Sequence, residues 1–357
     1  MQQRILITGI TGMAGSHLAE YILANHPDVK LYGMCRWRSR MENLADLAVS
    51  GLLNIRPLEG RVTTPEMLAA CSEPGKLNLV YGELADAGAM RSVIATARPD
   101  KIFHLAAQSF VPASWSAPVE TFQVNAIGQI NLFEAVRAAQ IDPLIQIACS
   151  SEQYGLVLPG ETPIKESNPL RPLSPYAVSK VAQEQLAWQY HRSYGLKTVV
   201  TRGFNHEGPR RGDVFVTSSF AKQIAMIEAG LTKSTVLHVG DLTSERDWTD
   251  VRDMVRAYWL ALEYGVPGEV YNVGSGICRS VGEMLDLLMA LTSARINVVK
   301  DPTRIRPSDV KVLHADAERF CRTTGWHPEI SFEQTLRDLL DWWRAQLRVQ
   351  VTIHIIT

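Results

Sequence analysis

The run Arg4–Thr8 (RILIT), followed at once by Gly9-Ile10-Thr11-Gly12-Met13-Ala14-Gly15, constrains the fold more than any other stretch. A β-prone segment, three glycines at three-residue spacing and an amphipathic segment to about Asn25 predict a strand, a tight turn and a helix. The glycines let the backbone approach a pyrophosphate, and the helix N-terminus behind them favours an anion. A glycine triplet alone is also ordinary turn chemistry. The strand before it and the helix after it are the context a dinucleotide fingerprint requires. Gly9, Thr11, Gly12, Met13 and Gly15 are therefore candidate cofactor contacts.

The alternation continues. Residues 29–34, 77–81, 101–105, 144–149 and 197–202 read as strands, with helices expected at 86–98, 118–140 and 176–194. This is an α/β chain: a Rossmann-type doubly wound parallel sheet with a smaller, discontinuous α/β substrate-binding lobe. The sheet domain is expected over 1–203 plus a returning segment at about 235–275, and the lobe over about 204–234 and 276–347. Residues 348–357 are a tail, either an edge strand or an appendage. Residues 41–75 are irregular and read as a helix plus an inserted loop, a candidate oligomer contact.

A length of 357 residues with 46% hydrophobic content is enough core for one large or two modest domains. The net charge of -1 argues against nucleic-acid binding. Five cysteines without C-x-x-C spacing argue against a disulfide framework or a zinc site and fit a reducing compartment. No signal peptide and no apolar run of about 18 residues are recognisable, so a cytoplasmic location away from membranes is expected.

The tip of the second strand is Cys35-Arg36-Trp37-Arg38-Ser39-Arg40. An NAD site would place an acidic residue there. Arginines suit a 2′-phosphate, so NADP is expected over NAD, with Arg36, Arg38 and Ser39 as contacts; a solvated basic loop is the plainer alternative. Glu83 and Leu84 follow the strand at 77–81. Leu105, Ala106, Ala107 and Ser109 follow the strand at 101–105, where small residues let a cofactor lie against backbone. His104, inside that strand, reads as a core histidine.

The chemistry concentrates in Ser150-Ser151-Glu152-Gln153-Tyr154-Gly155 and in Tyr176-x-x-x-Lys180. The first stretch leaves the strand at 144–149, where ligands bind in open α/β sheets. Tyr176 and Lys180 are i and i+4, on one helix face. An ammonium there is expected to lower the phenol's pKa from about 10 and make Tyr176 a general base, with Ser150 on the same substrate hydroxyl. Glu152 is either a second base or a structural carboxylate.

These motifs together resemble the extended short-chain dehydrogenase/reductase family, and the resemblance covers nearly the whole chain. Within it the chain looks most like the GDP-mannose 4,6-dehydratases, through Ser151-Glu152-x-Tyr154-Gly155, Phe204-Asn205-His206-Glu207-x-Pro209-Arg210-Arg211-Gly212, Phe215-Val216-Thr217, Arg246-Asp247-Trp248 and Arg306-Pro307-Ser308-Asp309. It departs from them at Ser150 (usually Thr), Ser219 (usually basic) and Asp309 (usually Glu). Phe220–Ile224 and Ser114-Trp115 look more like GDP-4-keto-6-deoxy-mannose reductase. The resemblance implies an NADP enzyme that forms homodimers or homotetramers and acts on a GDP-sugar. It also implies catalytic Ser150, Glu152, Tyr176 and Lys180, the last two also touching the cofactor. Gln108, Ser109, Glu152, Asn205, Val216, Arg246, Arg306 and Asp309 would contact substrate, and Arg210 and Arg211 would shape the pocket loop or be solvated. Dehydration needs a base beyond Tyr176, for which Glu152 is the candidate. A reductase needs none, a 4-epimerase of another nucleotide sugar needs none, and a non-catalytic sensor would not need Ser150, Tyr176 or Lys180.

Overall fold

The computed structural model describes residues 2–59, 62–232, 234–304 and 310–356, with side chains through Arg348. The strands are β1 (Arg4–Thr8), β2 (Lys30–Cys35), β3 (Leu53–Asn54), β4 (Leu77–Tyr81), β5 (Lys101–His104), β6 (Leu144–Ser150), β7 (Lys197–Gly203), β8 (Asn205–Glu207), β9 (Val236–Val239), β10 (Glu245–Asp250), β11 (Val270–Val273), β12 (Cys278–Ser280), β13 (Asn297–Lys300) and β14 (Val312–Leu313). Eight of them form one parallel sheet in the order β11-β7-β6-β5-β1-β2-β4-β3. The order reverses direction beside β1, so the sheet is doubly wound, with a crevice at the strand C-termini between β1 and β5.

Strands buried on both faces explain their continuous apolar runs. One face packs under the helices Met13–Asn25 and Val251–Tyr264, with Ile5, Ile7, Leu31, Phe103, Met254 and Tyr258 in the core between them. The other packs under Ala87–Ala97, Gly128–Ala138 and Pro175–Tyr194 through Leu6, Ile94, Phe133, Ile147 and Ala187. A separate apolar cluster joins the helices Val216–Glu228, Val281–Met289 and Phe332–Ile356. Of the stretch at about 235–275, the helix Val251–Tyr264 and β11 belong to the main sheet. By contrast β9 pairs with β13, and β10 with β8, β12 and β14. Among the described residues no helix is long and apolar enough to cross a membrane.

Three expectations are corrected. The helix expected at 118–140 is interrupted by a π turn, Gln123–Ile127, between Pro118–Phe122 and Gly128–Ala138. The wide turn carries the fully buried Asn125, whose Oδ1 accepts from Gln108 N (2.8 Å) and whose Nδ2 donates to Ser179 Oγ (2.9 Å). Tertiary hydrogen bonds thus override a uniform helical register. Residues 41–75 hold several short helices and the edge strand β3 rather than one helix and a loop. The last helix runs on to Ile356, so the tail is no edge strand.

Candidate active site

The C-terminal ends of β1, β5, β6 and β7 open into a cavity of about 630 Å³. At one end lie Gly9, Thr11, Gly12, Met13 and Gly15. Gly9 has φ +72°, and a Cβ there would sit 2.8 Å from Ala106 N. A Cβ on Gly15 would meet Gly9 O at 2.3 Å. The turn therefore requires glycine at both positions and brings β1, β5 and the helix Met13–Asn25 to one point. Gly12 caps that helix without a side-chain hydrogen bond, so no side chain competes for its first N–H groups. Thr8 Oγ1 accepts from both Leu105 N and Ala106 N (3.1 Å each) and fixes the strand end that carries Ala106 and Ala107 into the wall.

Arg36, Ser39, Glu83, Leu84 and Leu105 also line this end, and Arg36 N donates to Ser39 Oγ at 3.1 Å. Arg38 is exposed and outside the wall. His104 is buried as a core residue, its Nδ1 3.0 Å from Thr8 Oγ1, and burial pushes its pKa down to about 3.

At the other end, β6 delivers Ser150 and a single 3₁₀ turn, Ser151–Gln153. Ser150 Oγ accepts from Glu152 N (3.2 Å), and Ser150 N donates to Gln153 Oε1 (3.1 Å). This reciprocal cap tightens the turn and leaves Ser150 and Glu152 on the cavity side. The helix Pro175–Tyr194 starts beside it, with Ser174 accepting from Ala177 N (3.1 Å) and Pro175 in the first turn. Tyr176, Ser179, Lys180, Gln183, Glu184 and Ala187 follow helical spacing and are all buried against the sheet.

Tyr176 lines the cavity; Lys180 lies beneath it, its Nζ 5.9 Å from the Tyr176 ring centroid and donating to Ala148 O at 2.8 Å. The expected lowering of the Tyr176 pKa is corrected. Burial pushes that phenol up, the hydrogen bond with Ser150 opposes the shift, and the Glu152 charge adds to it. Burial also lowers the Lys180 ammonium to about 8. Desolvation disfavours both charged forms at once and is the largest cause of each shift.

Gln108, Ser109, Glu152 and Asn205 line the cavity as well. Val216 instead begins the helix Val216–Glu228, and its neighbour Phe215 is the wall residue. Arg246 is buried outside the wall, with Nη1 donating to Glu245 O (2.9 Å). Arg306 and Asp309 lie outside the described residues.

The sequence reading missed His206 and did not decide Arg211, though both belong to the motif it singled out. His206 lines the cavity, and burial followed by the charge of Arg211 lowers its pKa to about 4. Its Nδ1 faces Phe204 O at 3.1 Å. A carbonyl only accepts, so the neutral ring carries its proton on Nδ1. Arg211 stacks on Phe215 at 3.5 Å and pairs with the buried Glu207 at 3.3 Å, placing a cation in the wall. Arg210, with φ +70°, points away and pairs with Glu20 (2.6 Å) and Asp46 (2.5 Å), tying this loop to the helix Met13–Asn25.

Comparison with known proteins agrees with this geometry. A family model described as GDP-mannose 4,6 dehydratase matches residues 6–339. The chain is 33% identical to a GDP-6-deoxy-D-mannose reductase of Pseudomonas aeruginosa, over 98% of this chain and 99% of that one. It is 34% identical to GDP-mannose 4,6 dehydratase 1 of Arabidopsis thaliana, over 94% and 88%. Among solved structures, RMD from Pseudomonas aeruginosa complexed with NADPH superposes with a TM-score of 0.77 at 30% identity, covering 97% of this chain and 100% of that one.

Proposed function

The chain belongs to the GDP-mannose 4,6-dehydratase family, of the extended short-chain dehydrogenase/reductase enzymes, and from that premise we propose that it catalyses the NADP-dependent dehydration of GDP-mannose to GDP-4-keto-6-deoxy-mannose. The glycine turn fits a nicotinamide dinucleotide, because its two close approaches leave backbone rather than side chains at the helix N-terminus. Gly9, Thr11, Gly12, Met13 and Gly15 would hold the pyrophosphate, and Ala106, Ala107, Tyr176 and Lys180 the nicotinamide half. Arg36 and Ser39 would meet a 2′-phosphate, which supports NADP, as does the NADPH complex of the Pseudomonas relative. When bound, the nicotinamide supplies a hydride acceptor for the sugar C4 and a hydride donor for C6, so the reaction has no net redox change.

The protein's part is proton management. Tyr176 takes the proton of the 4-hydroxyl, with Ser150 hydrogen-bonded to the same oxygen and the Lys180 ammonium beneath offsetting the developing phenolate. The 4-ketone acidifies C5. Glu152 removes that proton and returns one to the hydroxyl leaving C6 as water, and the proton that Tyr176 took from the 4-hydroxyl balances the one that C5 regains as C6 is reduced. Gln108, Ser109 and Asn205 contact the hexose or its phosphates, and Arg211 joins them as a wall cation. Arg246, Arg306 and Asp309 remain proposed contacts to the GDP moiety on the resemblance alone.

The observation that carries this reading is Glu152: a carboxylate in the cavity wall, near enough to act on Tyr176. A second reading, NADPH-dependent reduction of the 4-keto sugar, is favoured by the end-to-end match to the Pseudomonas reductase. It needs Tyr176, Lys180 and Ser150 but no second base. Purified protein with GDP-mannose and no added reductant should yield a product lighter by one water. No such product, together with NADPH consumption on the 4-keto sugar, would select the reductase. Self-association as a dimer or tetramer is part of the proposal, supported by Val178 and Trp188 standing exposed on the helix Pro175–Tyr194; sedimentation velocity tests it.

A further inference from the structure

Below the cavity floor lies a polar chain that the chemistry above does not use. It starts at the backbone of Ser150, whose N–H donates to Gln153 Oε1. The same Gln153 donates from Nε2 to Glu184 Oε2 at 2.8 Å. Glu184 is one turn beyond Lys180 and two beyond Tyr176, on the same buried helix face. It receives two bonds from Arg202 on β7, Nε to Oε2 at 2.8 Å and Nη2 to Oε1 at 2.5 Å. Arg202 Nη1 donates to Tyr154 Oη (2.7 Å) and Glu166 O (3.0 Å). Tyr154 in turn donates to Asn272 Oδ1 (2.6 Å) on β11, and Asn272 Nδ2 donates to Ile164 O (2.8 Å). Gln153, Tyr154, Glu184, Arg202 and Asn272 are each at most 5% exposed.

We propose that Glu184 is a positioning residue, which through Gln153 sets where the Ser150 hydroxyl and the Glu152 carboxylate stand relative to Tyr176. This rests on the assignment of those three groups as the reacting ones. A fork-to-carboxylate pair has one preferred geometry, and in a dry interior it does not slide. Glu184 is thereby fixed to β7, and its free lone pair fixes Gln153. Gln153 holds Ser150 N and, as the last residue of the 3₁₀ turn, directly follows Glu152 in the chain. The helix that carries Tyr176 and Lys180 thus carries, on the same face, the group that locates their two partners. Register between the two halves of the site is set by one helix. Misplacing a catalytic group by about 1 Å costs about 100-fold in rate.

The test compares Gln153→Leu, Glu184→Gln and the exchange Gln153→Glu/Glu184→Gln. The first frees Ser150 N but leaves Arg202 paired. The second removes the carboxylate. The exchange restores an amide against a carboxylate between positions 153 and 184 and keeps one acceptor for Arg202. Turnover is read both as water loss from GDP-mannose and as NADPH oxidation on the 4-keto sugar, so a wrong substrate assignment shows in the wild type and leaves the ratios intact. We expect kcat about 10- to 100-fold down in both single variants, KM within about twofold, and recovery by the exchange of at least tenfold over the worse single variant. Gln153→Leu with wild-type kcat, or losses that fall in KM, or an exchange no better than Glu184→Gln, would overturn the proposal. Tyr176→Phe runs alongside: if it stays active, the assignment of the reacting groups has failed instead.

Discussion

Tyr154 and Tyr176 stand on opposite sides of the turn that leaves β6, and both phenols are pushed up by burial. Behind the turn, Tyr154 spends its hydroxyl on Arg202 and Asn272, inside a network in which each group has a partner. In front, Tyr176 shares its hydroxyl with Ser150 and faces the cavity with Glu152, Asn205, His206 and Arg211. Both phenols are buried, yet the hydrogen bonds of Tyr154 are closed by protein while Tyr176 faces the cavity, which is why the proposal gives the chemistry to Tyr176. Burial alone does not separate the two; hydrogen-bond closure does.

The largest effect that sharpens this contrast is on rate. Tyr176→Phe should lower kcat by about 10²–10⁴, the usual contribution of a positioned acid–base group, with thermal stability nearly unchanged. Next comes the pH profile. Lys180 is held at about 8, below the ordinary lysine value, because burial favours the neutral amine. Its ammonium is present below about pH 8 and lost above, so kcat/KM should fall as pH rises through about 8, and Lys180→Met should remove that limb along with most activity. Behind the turn the sign is reversed. Tyr154→Phe leaves Arg202 and Asn272 each short of a partner, which should cost about 1–3 kcal/mol of stability in a denaturant titration while kcat stays within about threefold. If Tyr154→Phe proves the slower enzyme and Tyr176→Phe the less stable protein, the contrast is broken.

The smallest effect is acid destabilisation by buried histidines. His17 and His206 are held at about 4 against the ordinary histidine value of 6.5, chiefly by burial. The unfolded chain binds more protons between those values, so their contribution is fully present above pH 6.5 and is lost as pH falls toward 4. Melting temperature should decline over that window, and His17→Phe should flatten the decline.

Much of this was legible in the sequence because it depends on local pattern. Strand, glycine turn and helix lie within about twenty residues, and Tyr176 and Lys180 on one helical face, so periodicity finds them. Arg202, Glu184 and Asn272 were not legible as members of one network, since 18 residues separate Glu184 from Arg202 and 118 separate Tyr154 from Asn272. The π turn at Gln123–Ile127 was hidden because its cause is Asn125 bonding to Gln108 and Ser179, far along the chain. The direction of the Tyr176 shift was misjudged for a related reason. The spacing shows the ammonium, but only the fold shows how little water reaches either group. His206 carried no periodic signal; its role as a wall residue follows from β8 leaving the end of β7, a connection that places Asn205, His206 and Arg211 at the cavity.

In the proposed dehydration Glu152 removes the C5 proton. Running the reaction with GDP-mannose in D2O and reading deuterium at C5 by NMR, for the wild type and for Glu152→Gln, isolates that step. The wild type should incorporate solvent deuterium at C5 of the 4-keto-6-deoxy product. The variant should lose that incorporation and the dehydrated product together, while retaining partial oxidation at C4. Deuterium at C5 from Glu152→Gln at the wild-type rate would contradict the claim and leave this carboxylate a structural group.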